Sequence, residues 1–296
     1  MPGLVPVVKG NGYGFRRWNL MTLAGQVSDE IAVGSIFEVK DIPKSVTPIV
    51  LTPTLVAPPS TLPANTVLTV GSPHHVMALT TAGWKGSVMV KLQSSMRRFG
   101  VSRAHLSSLL ADLSNAGYPV HGFAVHPPLE GDDKAHLADI VPWLDHLPKD
   151  STLYVSHLSA EAYGHLCASF PDRKFRIRLG TALWHGNKST LQLSADVLGY
   201  HSIEIGQRAG YRQVQVTGPG EIVLVGCGSA HGVAALSDGR SPFHFQKQRL
   251  NMLEPPHMHT TMLLVARGRR LPGVGEWIDV QQPLTQVQVD ILQWVK

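Results

Sequence analysis

Six side chains able to carry charge or attack a carbon lie in or just after short hydrophobic runs. Lys9 closes "VPVVK", Lys91 sits in "VMVKL" with Arg98 soon after it, His126 closes "GFAVH", His157 closes "LYVSH", and Arg178 lies in "RIRLG". A lone Lys or His at such a place is ordinarily a solvated surface group. Basic groups delivered to one rim by five separate runs would instead build a field suited to a small anion. An apolar wall around Lys9 would also depress its pKa and leave a neutral amine able to attack a carbonyl carbon.

Elements must exist to deliver these groups together. Eight β-branched runs recur in the first 180 residues: "VPVVK", "IAVGS", "PIVLT", "VLTVG", "VMVKL", "GFAVH", "LYVSH" and "RIRLG". They read as strands buried on both faces, as in a parallel sheet. Between them, "SRAHLSSLLADLSNAGYP" places Leu106, Leu109, Leu110 and Leu113 on one helical stripe, with Ser102 as N-cap and Gly117 and Pro119 as the stop. "KAHLADIVPWLDHL" and "AEAYGHLCASF" read as helices too, whereas "APPSTLPAN" has no helical stripe and predicts a missing helix. Strands alternating with helices predict an α/β chain, a (β/α)₈ TIM barrel, with an open doubly wound sheet as the alternative. In such a barrel the active site lies at the C-terminal strand ends, where the six groups fall. Beyond about residue 187 the texture changes. "LQLSADVLGY", "RQVQVTGPGEIVLVG", "TTMLLVARG" and "EWIDVQQP" alternate and are broken by Gly and Pro, which predicts a smaller, mostly antiparallel β domain. The expected division is a barrel over 1–187 and a β-rich domain over 188–296.

Bulk properties agree with a globular enzyme. The chain has 296 residues, 43% hydrophobic and 16% charged, enough for a sizeable core. Its net charge of +5 is scattered, and the densest cluster, "GRR" at 268–270, is too small to argue for nucleic acid. No apolar run approaches the roughly 18 residues of a membrane span. The opening "MPGLVPVVKG" lacks the marks of a signal peptide, and the two cysteines, Cys167 and Cys227, read as buried thiols. A cytoplasmic protein is expected.

At this point the motifs carry a resemblance. "VVKGNGYG" resembles the pyridoxal-phosphate lysine motif of the alanine racemase family, the fold-type III pyridoxal-phosphate enzymes. The likeness continues in order through "IAVGSIFE", "VKLQSSMRRFGV", "GFAVHPP", "YVSHLSAEA" and "RLGTALWHG". The chain is expected to begin at the first barrel strand. The resemblance implies pyridoxal 5'-phosphate as cofactor, with Lys9 as its Schiff-base lysine and one catalytic base. It implies Tyr13 on the phosphate, together with backbone N–H groups at Gly180 and Thr181 and, at looser spacing, Ser159. Arg178 would face the pyridine nitrogen, and His126 and His157 would flank the ring. Arg98 would meet the substrate carboxylate, with Lys91, carbamylated in some members, beside it. A homodimer acting on a small amino acid is implied as well. An arginine beside the ring nitrogen disfavours its protonation, which suits brief proton removal and return.

Two departures stand out. Where the family places the tyrosine that serves the second face of the substrate Cα, this chain reads "VGCGSAHGV", with Ser229 at that position and His231 two residues on. A serine hydroxyl is a poor substitute for a phenol, and His231 reads either as the second base or as a hydrogen-bonded loop residue. In "EPPHMHTT", His257 and His259 would point to the same side of a strand, a spacing that suits a divalent metal. That pair is similar to the metal pair of D-threonine aldolases and D-serine dehydratases. The readings are therefore an amino-acid racemase interconverting L- and D-alanine or a related pair, a metal-assisted lyase, or a cofactor-binding protein without a second base. Tyr211 and the tryptophans read as packing residues, Met252 and Met258 as core or rim filler, and Arg16 and Arg17 as a solvated face.

Overall fold

The computed structural model describes residues 3–295 and divides into two compact units. The first comprises Met1–Gly12 and Arg17–Trp184, the second Tyr13–Arg16 and His185–Lys296.

The first unit is an eight-stranded parallel barrel. Its strands are β1 (Leu4–Pro6), β2 (Glu30–Val33), β3 (Thr47–Val50), β4 (Val67–Val70), β5 (Val88–Lys91), β6 (Val120–Ala124), β7 (Thr152–Val155) and β8 (Lys174–Leu179). They pair in the order β1-β8-β7-β6-β5-β4-β3-β2. A parallel bridge between Val7 and Ala32, with Val8 N–H donating to the Ala32 carbonyl at 2.8 Å, joins the first strand to the second and closes the ring. This closure rules out the open doubly wound sheet. Burial on both faces explains the unbroken apolar runs: every residue of β2, β4 and β5 is buried, Glu30 and Lys91 included.

The outer helices are α1 (Arg17–Val27), α2 (Pro73–Thr81), α3 (Arg103–Asn115), α4 (Asp133–Ile140), α5 (Ala160–Ser169) and the short α6 (Thr181–His185). In α3, Leu106, Leu109 and Leu113 are buried, and Gly117 at φ 73° ends the helix. Ser102 sits at its N-cap, but its hydroxyl meets His105 Nδ1 at 2.8 Å instead of a backbone amide. The helix expected through "KAHLADIVPWLDHL" stops at Ile140 and tightens into a 3₁₀ turn over Val141–His146, because Pro142 cannot continue the α-helical ladder. Between β3 and β4 the described chain has no helix.

The second unit is a seven-stranded antiparallel sheet plus a two-stranded hairpin. Its strands are β9 (Ser194–Ile203), β10 (Arg208–Ala209), β11 (Val214–Gln215), β12 (Gly220–Val225), β13 (Phe243–Phe245), β14 (Gln248–Arg249), β15 (Asn251–Met252), β16 (Thr261–Ala266) and β17 (Trp277–Val280). The sheet order is β14-β13-β17-β9-β12-β16-β15. Val197, Val223, Val225, Phe243, Leu263, Val265 and Ile278 form its core, and β16 alternates buried and half-buried residues as a one-sided sheet requires. Cys227 is buried here, and burial together with Asp196 and Asp290 pushes its thiol up to about 12.

The packing role expected of the tryptophans and Tyr211 holds only in part. Trp143 is buried, but Trp18, Trp277 and Trp294 are exposed, and Tyr211 keeps 85% of its surface open. Tyr211 follows Gly210 in the turn of the β10–β11 hairpin, so its ring lies tilted against His257, centroids 4.3 Å apart, instead of entering a core. No helix among the described residues is long and apolar enough to cross a membrane.

Candidate active site

The turn after β1 is built to present Lys9. Gly10 and Gly12 take φ values of 59° and 68°, which glycine adopts without steric cost, and Gly12 N–H returns to the Lys9 carbonyl at 3.0 Å. Gly34, after β2, leaves room beside it: a Cβ there would lie 3.3 Å from Lys9 Cβ. Glu38 braces the turn by accepting from Gly10 N–H at 3.0 Å and Gly34 N–H at 2.7 Å. Arg17 belongs to this framework. It pairs with Asp41 at 2.7 Å and donates to the Gly10 carbonyl at 2.8 Å, which corrects its reading as a solvated residue.

The other strand ends converge on the same rim. Lys91 ends β5, His126 follows β6, His157 follows β7, and Arg178 is the penultimate residue of β8. Lys9 keeps an exposed surface, and partial burial of the amine holds it below the usual lysine value, with Arg98 and Arg178 adding to the effect against Glu38. Lys91 is lowered further, by burial and then by Arg178 and Arg98. Burial, with Arg178, Lys91, His157 and Arg98 after it, brings His126 down to about 2, so it stays neutral at physiological pH. These mutual effects define one cluster of like charge.

Orientation within the cluster is fixed by backbone carbonyls. His157 Nδ1 lies 2.8 Å from the Pro128 carbonyl, which can only accept, so the proton sits on Nδ1 and a neutral ring keeps Nε2 as acceptor. His157 itself has φ 63°, and its carbonyl accepts from His136 Nδ1 at 2.6 Å. The His126 and His157 rings are 4.5 Å apart. Arg178, 7% exposed, donates from Nη2 to the Val125 carbonyl at 2.7 Å, while its buried Nε has no partner among the described residues. Burial lowers Arg178 to about 10 and leaves it charged.

Sequence reasoning missed three contributors. Gly71 and Gly100 let two segments touch beside Lys91: a Cβ on Gly71 would lie 3.1 Å from Gly100 Cα and 3.5 Å from Lys91 Cβ. The third is His136, buried under His157; its only sequence signal was its place on the buried side of a predicted helix.

Other candidates have different surroundings. Ser159 caps α5 by accepting from Ala162 N–H at 3.1 Å, and its own N–H is 2.9 Å from the Asp133 carboxylate, which its hydroxyl also meets. Gly180 and Thr181 lead into α6, where the Gly180 carbonyl accepts from Leu183 at 3.0 Å and Trp184 at 3.1 Å. In the second unit, Tyr13 is buried at φ 57° with its carbonyl 2.8 Å from His185 Nε2. Ser229 is exposed and opens a 3₁₀ turn, Ser229–His231, in which His231 is half-buried. His231 Nδ1 accepts from Gly228 N–H at 3.1 Å, so Nε2 carries the proton and donates to Asp290 at 3.1 Å. Both ring nitrogens are engaged.

The metal pair is corrected. Residues 253–260 form bends, not a strand, after "EPP" interrupts the ladder, so the same-side argument fails. His257 Nε2 is bound to Glu254 at 2.6 Å, whereas His259 turns its ring to His231 at 5.6 Å. Among the described residues no group of three or more His, Cys, Asp or Glu side chains is placed to hold a metal ion.

An anionic aldehyde cofactor fits the barrel cluster on its own terms. Burying unpaired charge is costly, and here Lys91 and Arg178 are buried, with Arg178 Nε unpartnered among the described residues and the more exposed Lys9 and Arg98 beside them. A phosphate-bearing ligand would compensate that field, and Lys9 supplies the amine for its carbonyl.

Comparison with known proteins bears on the same region. The family model described as alanine racemase, N-terminal domain, matches residues 1–188. Among solved structures, the alanine racemase from Acinetobacter baumannii superposes with a TM-score of 0.65 at 14% identity, covering 96% of this chain and 84% of that one. The alanine racemase from Bartonella henselae, with covalently bound pyridoxal phosphate, gives 0.68 at 17% identity over 95% and 84% of the two chains. That from Bacillus anthracis, with bound L-Ala-P, gives 0.70 at 16% identity over 94% and 78%. Identities this low establish a shared fold. A search of curated proteins finds no match.

Proposed function

Because this chain belongs to the alanine racemase N-terminal domain family, we propose that it is a pyridoxal-phosphate-dependent enzyme that moves a proton at the Cα of a small amino acid, as a racemase of the alanine type. The observation that carries this reading is the place of Lys9 just past the first strand, on the rim to which β5 and β8 bring the buried cations Lys91 and Arg178, with Arg178 Nε unpartnered among the described residues. When bound, pyridoxal phosphate supplies an aldehyde and a conjugated ring that accepts electron density from the substrate Cα. Lys9 would hold it, with Arg178 at the ring nitrogen, His126 and His157 beside the ring, and Tyr13, Gly180 and Thr181 at the phosphate, roles taken from the family likeness. Ser159 is set aside, because the Asp133 carboxylate beside it would repel a phosphate.

The residues then divide the work. Lys9, its pKa lowered from the usual lysine value, is the group that takes a proton from Cα or returns it. Arg98 binds the substrate carboxylate, and Lys91 strengthens the field behind it. Arg178 stays charged and keeps protons off the ring nitrogen, which favours proton return over loss of the amino group. A homodimer in the cytoplasm belongs to the same reading.

One observation favours a second reading. Both nitrogens of His231 are engaged and Ser229 is a weak acid, so a protein that exchanges the Cα proton on one face without inversion is the alternative. The lyase reading loses its support with the metal pair. Borohydride reduction and peptide mapping should mark Lys9, and an unmodified N-terminal peptide would sink the proposal. Incubation with L-alanine in deuterium oxide, followed by chiral separation, then decides between inversion and exchange with retention.

A further inference from the structure

Within the second unit, the Tyr13–Arg16 turn is bound by the last residues of the chain. Arg16 donates to the Val289 carbonyl from Nε at 3.0 Å and from Nη2 at 2.8 Å, and Nη2 also reaches the Asp290 carbonyl. The solvated-face reading therefore fails for Arg16 as well. Phe15 lies face to face with Trp294, ring centroids 6.0 Å apart and planes 8° from parallel. Gly14 is pressed so closely that a Cβ there would lie 3.0 Å from Leu284 Cβ.

The same terminal segment is tied on its other side. Gln288 N–H donates to the His231 carbonyl at 3.0 Å, and Asp290 accepts from His231 Nε2 at 3.1 Å. A Cβ on Gly232 would fall 2.2 Å from the Gln286 carbonyl. The terminal segment is thus a strap held between two turns. Arg16 suits the clamp because its planar fork presents pre-organised donors to two successive carbonyls, where a lysine offers only a compact point charge. It holds this position at φ 62°, a backbone conformation unfavourable for arginine, so the surroundings must impose it.

We propose that Arg16 is a positioning residue: with the strap over residues 284–294, it fixes the turn that carries Tyr13 and so presets the grip on the cofactor phosphate. This rests on the reading of Tyr13 as a phosphate ligand. The turn is anchored at its start by His185 Nε2 on the Tyr13 carbonyl at 2.8 Å and at its end by Arg16 on the strap. Tyr13 is then ordered before any ligand arrives, which lowers the entropy cost of binding.

Arg16→Gly tests this in the full-length protein. The change removes the guanidinium yet eases the left-handed backbone, so a turn held by its own conformation alone would tighten. The proposal expects the opposite: faster hydrogen–deuterium exchange across residues 13–16 and 286–291, and a pyridoxal-phosphate dissociation constant raised about tenfold, the scale of one lost hydrogen bond. Arg16→Lys should restore part of both effects. Trp294→Ala, which spares Arg16, should release the same two segments to a smaller extent. Unchanged exchange in residues 13–16, or released exchange with an unchanged dissociation constant, overturns the proposal. Wild-type protein that takes up no pyridoxal phosphate overturns instead the reading of Tyr13 on which it rests, and the wild-type titration tells the two failures apart.

Discussion

The two ends of the barrel treat buried charge in opposite ways. Toward the N-terminal end, Glu30 is 5% exposed and fully engaged: His121 Nε2 lies 2.7 Å away, the Tyr154 hydroxyl 2.9 and 3.0 Å, and Arg176 3.1 Å. Arg176 also holds Asp29 at 2.5 Å. At the C-terminal end the buried cations are Lys91 and Arg178, 6% and 7% exposed, and neither forms an ion pair among the described residues; the exposed Lys9 and Arg98 lie beside them, and Glu38, which acts on Lys9, accepts from two backbone amides. Both arrangements bear the cost of desolvation, but only the first recovers it inside the protein. A closed network supports the fold, whereas an open one of single sign is poised for a ligand.

The strongest way to break this contrast is Lys9→Ala. If the open end is the reactive one, covalent retention of pyridoxal phosphate disappears and exchange of the Cα proton falls by about 10²–10⁴-fold, the scale of a lost acid–base group. Peptide mapping and solvent-deuterium incorporation measure the two effects. Melting of the cofactor-free protein should not fall, because Lys9 serves no closed network. The complementary change, Glu30→Ala, strands Arg176, His121 and Tyr154 together. Chemical denaturation should show a loss of about 3–5 kcal/mol, typical of breaking a buried ion pair. A Glu30→Ala protein of ordinary stability would erase the distinction between the ends.

Lys91→Met gives a smaller effect of opposite sign. A near-isosteric apolar side chain removes a buried charge that faces Arg178 and Arg98, so the cofactor-free protein should gain about 1–2 kcal/mol. Its pH dependence follows from proton linkage. Lys91 titrates lower in the folded chain than the ordinary 10.5, so the unfolded chain binds more protons between those values. Stability from this site therefore grows as pH rises through that window, and Lys91→Met should flatten the slope. Tyr154 behaves in reverse: burial and then Glu30 raise it above 10.0, so its contribution is present below pH 10.0 and fades above it. Difference titrations of Lys91→Met and Tyr154→Phe against wild type would show whether the two slopes have opposite sign.

The open end was largely legible in the sequence, because strand ends are marked by pattern and their cargo by residue type. Lys9, Lys91, His126, His157 and Arg178 each sit in or beside an apolar run that became a strand. What escaped depends on contacts distant in the chain. Gly71 and Gly100 matter because two segments touch, and a local pattern cannot show that. Arg16 and Arg17 are adjacent and identical in type, yet one finds carbonyls at Val289 and Asp290 and the other Asp41. Nothing local separates them. The doubly wound alternative survived until Val7 met Ala32, since helices and strands alternate in both folds.

The histidines of "EPPHMHTT" sharpen the contrast at its weakest point, because their spacing alone would place them with the reactive groups. The rule drawn from the barrel assigns them otherwise. His257 Nε2 is spent on Glu254, itself 7% exposed and already accepting from Tyr211 N–H at 2.8 Å and Arg212 N–H at 2.9 Å. Glu254 thus resembles Glu30 in miniature, a buried carboxylate closed on every side, with its pKa held below the usual range despite burial by His257 and those two amides. A metal at His257 would have to take Nε2 from this carboxylate or accept Nδ1 with the ring already packed against Tyr211. His257→Gln should therefore cost only about 1 kcal/mol, one hydrogen bond with the backbone anchors of Glu254 intact. A chelator should leave both stability and Cα exchange unchanged. Loss of exchange with a chelator, restored by a divalent ion in wild type but not in His257→Gln, would show that a closed network can still be reactive and would undo the rule.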